Sequence, residues 1–231
     1  MNTSLDFQPV IQEAIAQTKA HWKFALLAIL LTALAQMPTA LPLIGPLLSL
    51  VMIGPLRVGL LNTLLRTNRG EAATYGDIFC GFKRWWKSCA VFILVSLMTV
   101  IGFILLVVPG IILALGLLPA IFLVMDEDLG IMDTISKAWD MTKGKKTDLF
   151  VFYLLFGLIM FVCMIPLIAC MALIELMPIL ILPLIPLFLV VGFGLGIIAY
   201  NVQIAIYERL RTAYYGLDLI EPAEEEATAE L

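Results

Sequence analysis

Three long apolar blocks constrain this chain more than any other feature. Phe24–Leu65, Ser88–Met125 and Leu149–Ile206 hold 42, 38 and 58 residues. One helical crossing of about 30 Å of hydrocarbon takes about 20 residues. Each block is therefore too long for one crossing and fits two. Each also carries punctuation near its middle: QMPTALPLIGP at 36–46, Val-Pro-Gly at 108–110, and Glu175 followed by Pro178, Pro183 and Pro186. Proline removes a backbone donor and clashes one turn back, so it ends or kinks a helix. The expectation is an all-α polytopic membrane bundle of six transmembrane helices arranged as three hairpins. The spans fall near 24–44, 46–65, 88–107, 110–125, 149–174 and 184–206. The fourth is short and interrupted by Pro119, and the third block has room for a re-entrant piece around Met177–Pro186. Composition agrees: 62% of residues are hydrophobic and 14% charged, against about half and a quarter in a soluble domain.

Charge placement tests the count independently. Of the 14 Lys and Arg, 13 lie in the N-terminal segment, the connections 66–87 and 126–148, or the stretch after 206. The hairpin tips carry none. Basic residues favour the cytoplasmic side, so both termini are expected inside. No cleavable signal peptide is expected, because the first apolar run begins at Phe24, after Asp6 and Glu13. The expected compartment is a bacterial inner (plasma) membrane.

The cytoplasmic pieces repeat a design. Segment 5–24 places Phe7, Val10, Ile11, Ala14 and Ile15 at helical spacing; 75–88 does so with Ile78, Phe79, Phe82, Trp85 and Trp86; 129–146 does so with Ile131, Ile135, Ala138 and Trp139. Asp77 reads as a helix N-cap and Gly144 as a stop. Each piece ends in aromatic and basic residues, as an interfacial amphipathic helix does. The chain thus reads as one membrane domain, 1–216, of three units (about 5–65, 75–125 and 129–206), plus an acidic flexible tail at 217–231. The commoner origin of such loops is a set of aromatic and basic topology anchors, which explains the composition but less of the periodicity.

Cys80, Cys89, Cys163 and Cys170 have no metal or disulfide spacing and read as buried small apolar side chains. No metal and no cofactor is expected. The run 126–133 lacks the spacing of a calcium loop, and Asp126 or Asp128 reads as a cap for the next helix.

IGPLRVGLLNTLLRTNRGE (53–71), DIFCGFKR (77–84) and VVPGIILALGLLPAIFLVMDEDLGIMDTISKAWDMTKGKK (107–146) stand in an order that resembles uncharacterised bacterial six-span membrane proteins. It is similar, too, to the membrane domain attached to some glycerophosphoryl diester phosphodiesterases. The resemblance covers about two thirds of the chain and implies the fold. It carries no activity here, because no phosphodiesterase catalytic domain is present.

Arg57 is the most informative charge, since it lies inside the second apolar run and intramembrane cations are functional candidates by default. A buried structural contact and a lipid-phosphate or substrate contact are both open; snorkelling must cover the nine residues to Arg66, about 13 Å of helix. Asn62 is on the same run. Lys83, Arg84, Lys87, Lys143, Lys145 and Lys146 are the other candidates for lipid or substrate contact. Trp22, Trp85, Trp86 and Trp139 read as interfacial anchors. Gly192 and Gly196 form a small-residue face for helix packing. His21, the single histidine, reads as an interfacial anchor because no acid or thiol partner lies nearby. Asn201 and Gln203 read as makers of interhelical hydrogen bonds.

No catalytic constellation is visible. The reading is a non-enzymatic membrane protein engaging lipid, with anionic headgroups as partners, no nucleic acid, and an oligomer left open. The alternative is a transporter or channel, favoured by Arg57, the broken helices and the repeat. The topology predicts that externally added thiol reagent, in a cysteine-free background, labels cysteines placed at Thr39 and Glu175 and spares one at Gly70. Labelling at Gly70 would invert or break the arrangement.

Overall fold

The computed structural model describes residues 7–40, 45–176 and 181–216. Among these residues eight α-helices follow one another: α1 (Phe7–Ala35), α2 (Gly45–Asn68), α3 (Trp85–Leu105), α4 (Val107–Gly116), α5 (Ala120–Asp126), α6 (Ile131–Met141), α7 (Lys146–Leu176) and α8 (Ile181–Tyr215). Two 3-10 helices, Met37–Ala40 and Tyr75–Phe82, join them, and no strand occurs among the described residues. Among the described residues, five stretches are long and apolar enough to cross a membrane: Phe7–Ala35, Trp85–Leu105, Val107–Asp126, Lys146–Ile165 and Val191–Tyr215. The protein is thus an all-α chain of multi-pass membrane type. The expected span at 46–65 lies in α2, which is not among those five. The tail from 217, residues 41–44 and residues 177–180 fall outside the described residues.

Helix α2 is the packing centre. Leu56, Val58, Leu60, Leu61, Thr63, Leu64 and Leu65 along it are all buried. Pro55 sits within it and has no N–H, so the carbonyl of Val51 one turn back loses its helical donor. Cys89 of α3 supplies one: its Sγ lies 3.2 Å from the Val51 oxygen. A kink-prone proline thereby becomes an interhelical contact. Glycines let neighbouring backbone touch α2 directly. A Cβ on Gly59 would stand 1.8 Å from the Ile78 carbonyl oxygen, and one on Gly81 2.0 Å from that of Pro55. The segment Tyr75–Phe82 therefore lies backbone-to-backbone on α2.

The three units do not share one helical design. In the first, the arm and the apolar part are one helix, α1, kinked at His21 (φ −122°, ψ 19°). In the second, the segment is 3-10 rather than α. Asp77 lies in its first turn instead of capping it: Thr74 is the N-cap, and its N–H donates to Asp77 Oδ2 at 2.8 Å. In the third, α6 is a separate helix that folds back along α5, bringing Thr142 Oγ1 to donate to the Gly116 carbonyl at 3.1 Å. Gly144 ends that turn with φ +79°, a conformation suited to glycine.

Two proline motifs act as chemistry requires. The chain reverses at Leu106 (φ −167°, ψ 151°), just before Val-Pro-Gly. Pro109 falls in the first turn of α4, where its missing donor has no intrahelical role. Gly102 and Gly110 then bring α3 and α4 into contact, a Cβ on Gly102 standing 2.9 Å from the Gly110 Cα. Pro119 separates α4 from α5, the interruption expected at that position. Beyond the packed core, Leu97, Val100, Ile104 and Leu105 on α3 and Leu154, Leu158, Phe161 and Val162 on α7 are exposed apolar side chains, a surface suited to hydrocarbon.

Gly81→Ala should lower the thermal midpoint in detergent by an amount equivalent to about 1–3 kcal/mol, because a backbone must move to admit the methyl. Gly76→Ala, whose Cβ would meet nothing nearer than Thr74 Oγ1 at 3.8 Å, is the neutral control. Equal midpoints for the two variants would contradict the close approach.

Candidate functional site

The ends of α2, α5 and α8 converge on one guanidinium. Arg69 follows the last turn of α2, its N–H still bonded to the Leu65 carbonyl at 3.0 Å. Its Nη1 and Nη2 donate to Asp126 Oδ1 and Oδ2 at 2.8 and 3.2 Å, and its Nε donates to Glu208 Oε1 at 2.6 Å. Tyr207 donates its hydroxyl to Asp126 Oδ2 at 2.6 Å, and Arg211 Nε lies 3.4 Å from the same oxygen. Phe122 stacks on Tyr207 with ring centroids 4.6 Å apart, which fixes the phenol against the acid. Two cations and two anions balance. Burial weakens the Arg69 charge, but the hydrogen bonds and charges of Asp126 and Glu208 outweigh it and raise its pKa.

Around this hub lies a polar cleft of about 50 Å³ between α1, α2 and α8, lined by Glu13, Gln17, Asn68, Arg69, Asn201 and Glu208 among others. Asn68 donates to Asn201 Oδ1 at 3.0 Å, and Asn201 donates to Thr18 Oγ1 at 2.9 Å, completing a relay across the three helices. Arg209 donates to Glu13 at 3.2 Å and pins the arm of α1.

A second cluster lies beside it. Glu127 takes a hydrogen bond from Tyr215 at 2.6 Å and an ion pair from Lys137, which also bonds the Tyr215 hydroxyl. Lys87 reaches the Glu127 carbonyl at 3.3 Å, and Arg84 reaches the carbonyls of Val124 and Glu127 and pairs with Asp128 at 3.0 Å. Neither Asp126 nor Asp128 caps α6, whose N-cap is Gly130. Asp126 goes instead to Arg69 and Arg211, and the exposed Asp128 to Arg84.

The remaining candidates divide into exposed and engaged residues. Arg57 is exposed and bonds no described residue. Asn62 Nδ2 lies 3.7 Å from Cys80 Sγ. Lys83 and Lys143 are exposed, and Lys145 is half-buried, with burial lowering its pKa. Trp22, Trp85 and Trp86 are exposed. Trp139 is half-buried and packs on Gly116, with Lys146 over its ring. Gly192 and Gly196 have no described atom within 4 Å of where a Cβ would stand. His21 marks the kink of α1. Cys163 is exposed rather than buried, since it lies on the outer side of α7. No group of three or more His, Cys, Asp or Glu among the described residues could hold a metal ion.

Sequence reasoning did not find the Arg69 hub. Its one signal was that the polar ends of the three apolar blocks carry opposite charges between them: Arg66 and Arg69 after the first, Asp126 to Asp128 after the second, Glu208 to Arg211 after the third.

The fold and this polar end define a multi-pass α-helical membrane protein. Comparison of the chain with protein-family models, curated proteins and solved structures gives no match.

Arg69→Ala leaves Asp126 and Glu208 partly buried without their main counter-charge and should destabilise the protein by about 3–5 kcal/mol. Arg69→Lys keeps the charge but cannot bridge both acids as a fork and should fall between. Thermal unfolding in detergent measures both; an unchanged midpoint for Arg69→Ala would show that the hub is not structural.

Proposed function

We propose that this is a non-enzymatic integral membrane protein that engages lipid headgroups through an aromatic and basic belt at the start of α3. One observation carries the reading. A 3-10 helix has three residues per turn, so positions three apart share a face. Ile78 and Gly81 turn inward to α2, while Phe79, Phe82 and Trp85 lie on another face, all exposed, with Trp86 71% exposed beside them. Lys83 is exposed among these rings, and α3 continues directly into its outward apolar surface. Exposed aromatics beside a cation at the foot of an apolar helix suit the headgroup layer, where the rings have an apolar body to bury and the ammonium has phosphate to meet.

Six crossings, cytoplasmic termini, a bacterial inner membrane, and kinship with uncharacterised six-span bacterial proteins belong to the same proposal. A transporter or channel is the competing reading. The cleft between α1, α2 and α8 does not support it, since about 50 Å³ takes a few waters rather than a ligand needing about 300 Å³ or more.

With Trp86 as the only tryptophan, fluorescence in proteoliposomes should be quenched by lipids brominated near the headgroup. Replacing Lys83 by Gln together with Trp85 and Trp86 by Ala should cut co-purifying anionic lipid several-fold. Quenching of Trp86 by aqueous iodide alone, with no effect of brominated lipid, would place the belt in water and remove the reading.

A further inference from the structure

Arg57 sits on a helix that is otherwise closed around it. Its neighbours Leu56 and Val58 are 0% and 1% exposed, yet Arg57 itself is exposed. The acids nearest in sequence are taken: Arg66 pairs with Glu71 at 3.1 Å and with Asp77 at 3.6 Å. The acids of the hub are taken by Arg69. No described residue gives Arg57 a hydrogen bond or an ion pair. It lies twelve residues before Arg69, about 18 Å along α2 from the polar hub. Ile78 and Gly81 of the belt segment pack on Gly59 and Pro55, on either side of Arg57, so the guanidinium stands at the level of the belt, and no described residue gives it an oxygen partner.

Helical register says which neighbour it faces. Eleven residues make about three turns, so Arg57 shares a face with Asn68. Asn68 is the residue that meets Asn201 of α8. Both helices continue from that contact toward the hub, where Arg69 meets Glu208. Counting back along both, Gly192, Gly194 and Gly196 of α8 come to about the level of Arg57. No described atom lies within 4 Å of a Cβ built on any of the three. The register thus sets the cation on the α8 side of α2, level with glycines that leave space around them.

We propose that Arg57 binds the phosphate of a membrane phospholipid that enters from the side between α2 and α8. This rests on the lipid-engaging reading above and names a specific site within it. A phosphate offers two oxygens to the planar fork of arginine, which an ammonium cannot match. The glycines of α8 leave room for the glycerol and the upper acyl chains. A soluble phosphate would present the same oxygens but gain nothing from the apolar flanks.

The test uses the full chain purified in detergent with dioleoylphosphatidylglycerol, read by native mass spectrometry. The wild type should retain one lipid that Arg57→Leu binds at least tenfold more weakly, with Arg57→Lys between them. Arg57→Leu should keep the wild-type thermal midpoint, since Arg57 bonds no described residue. Gly194→Leu, which fills the open flank without a clash, should also weaken retention. Equal retention by wild type and Arg57→Leu overturns the site. Equal retention by wild type and Gly194→Leu overturns its placement against α8. Displacement of the lipid by inorganic phosphate overturns the lipid assignment in favour of a soluble anion. The belt variant at Lys83, Trp85 and Trp86 separates this site from the broader reading. Lipid lost there but kept in Arg57→Leu sinks the Arg57 site alone; lipid kept there but lost in Arg57→Leu sinks the belt alone.

Discussion

Three helices at the polar end of the bundle are tied together by the Arg69 guanidinium. It joins side chains 57 and 139 residues away in sequence, Asp126 and Glu208, and so fixes the relative positions of α2, α5 and α8. Ion pairs in water contribute little, because solvent screens them and the side chains lose freedom. This one is different in kind. Asp126 is only 11% exposed and is held by two arginines and a phenol. Removing Arg69 or Asp126 leaves charge stranded in a poorly solvated place. The hub constrains geometry more than it adds net stability, since well-packed apolar residues can replace such a network without loss.

The apolar part depends on a different constraint, the approach of backbone to backbone. Lipid is as apolar as leucine, so burying leucine gives helices no reason to associate inside it. What remains is close van der Waals contact and the satisfaction of freed polar groups. Gly59 and Gly81 admit the 3-10 segment to α2, and Gly102 and Gly110 close α3 on α4. The Val51 carbonyl freed by Pro55 finds Cys89. Threonines bond within their own helices, as Thr63 does to Gly59 and Thr32 to Ala28, so they enter the core without an unmet hydroxyl. Tyr153 is the exception, with its hydroxyl buried and unpartnered among the described residues.

These two constraints also decide which side chains stay exposed. Because α2 accepts Ile78 and Gly81, the aromatics at 79, 82 and 85 must turn outward. Glu71 and Asp77 are drawn to Arg66, and no acid among the described residues pairs with Arg57. Packing at one end of a helix thus decides which side chains are left exposed at another. The same logic separates the four tryptophans. Three are exposed, whereas Trp139 is wedged against Gly116 and covered by Lys146.

Length, hydropathy and proline placement were enough to read an all-α, multi-pass chain with breaks near 106–110 and at Pro119, because those features depend on local backbone chemistry and on the thickness of a bilayer. Arg57 stood out for the same reason, as a charge in an apolar run. The sequence could not determine that 75–82 would be a 3-10 helix with aromatics on its outer face. That outcome depends on two glycines, 22 residues apart, meeting across α2. Nor could it show that Asp126 serves Arg69 rather than a helix cap. Opposite charges scattered over three block ends carry no record of their pairing. Only the folded chain brings them within 3 Å and withdraws the water that would otherwise have answered each one separately.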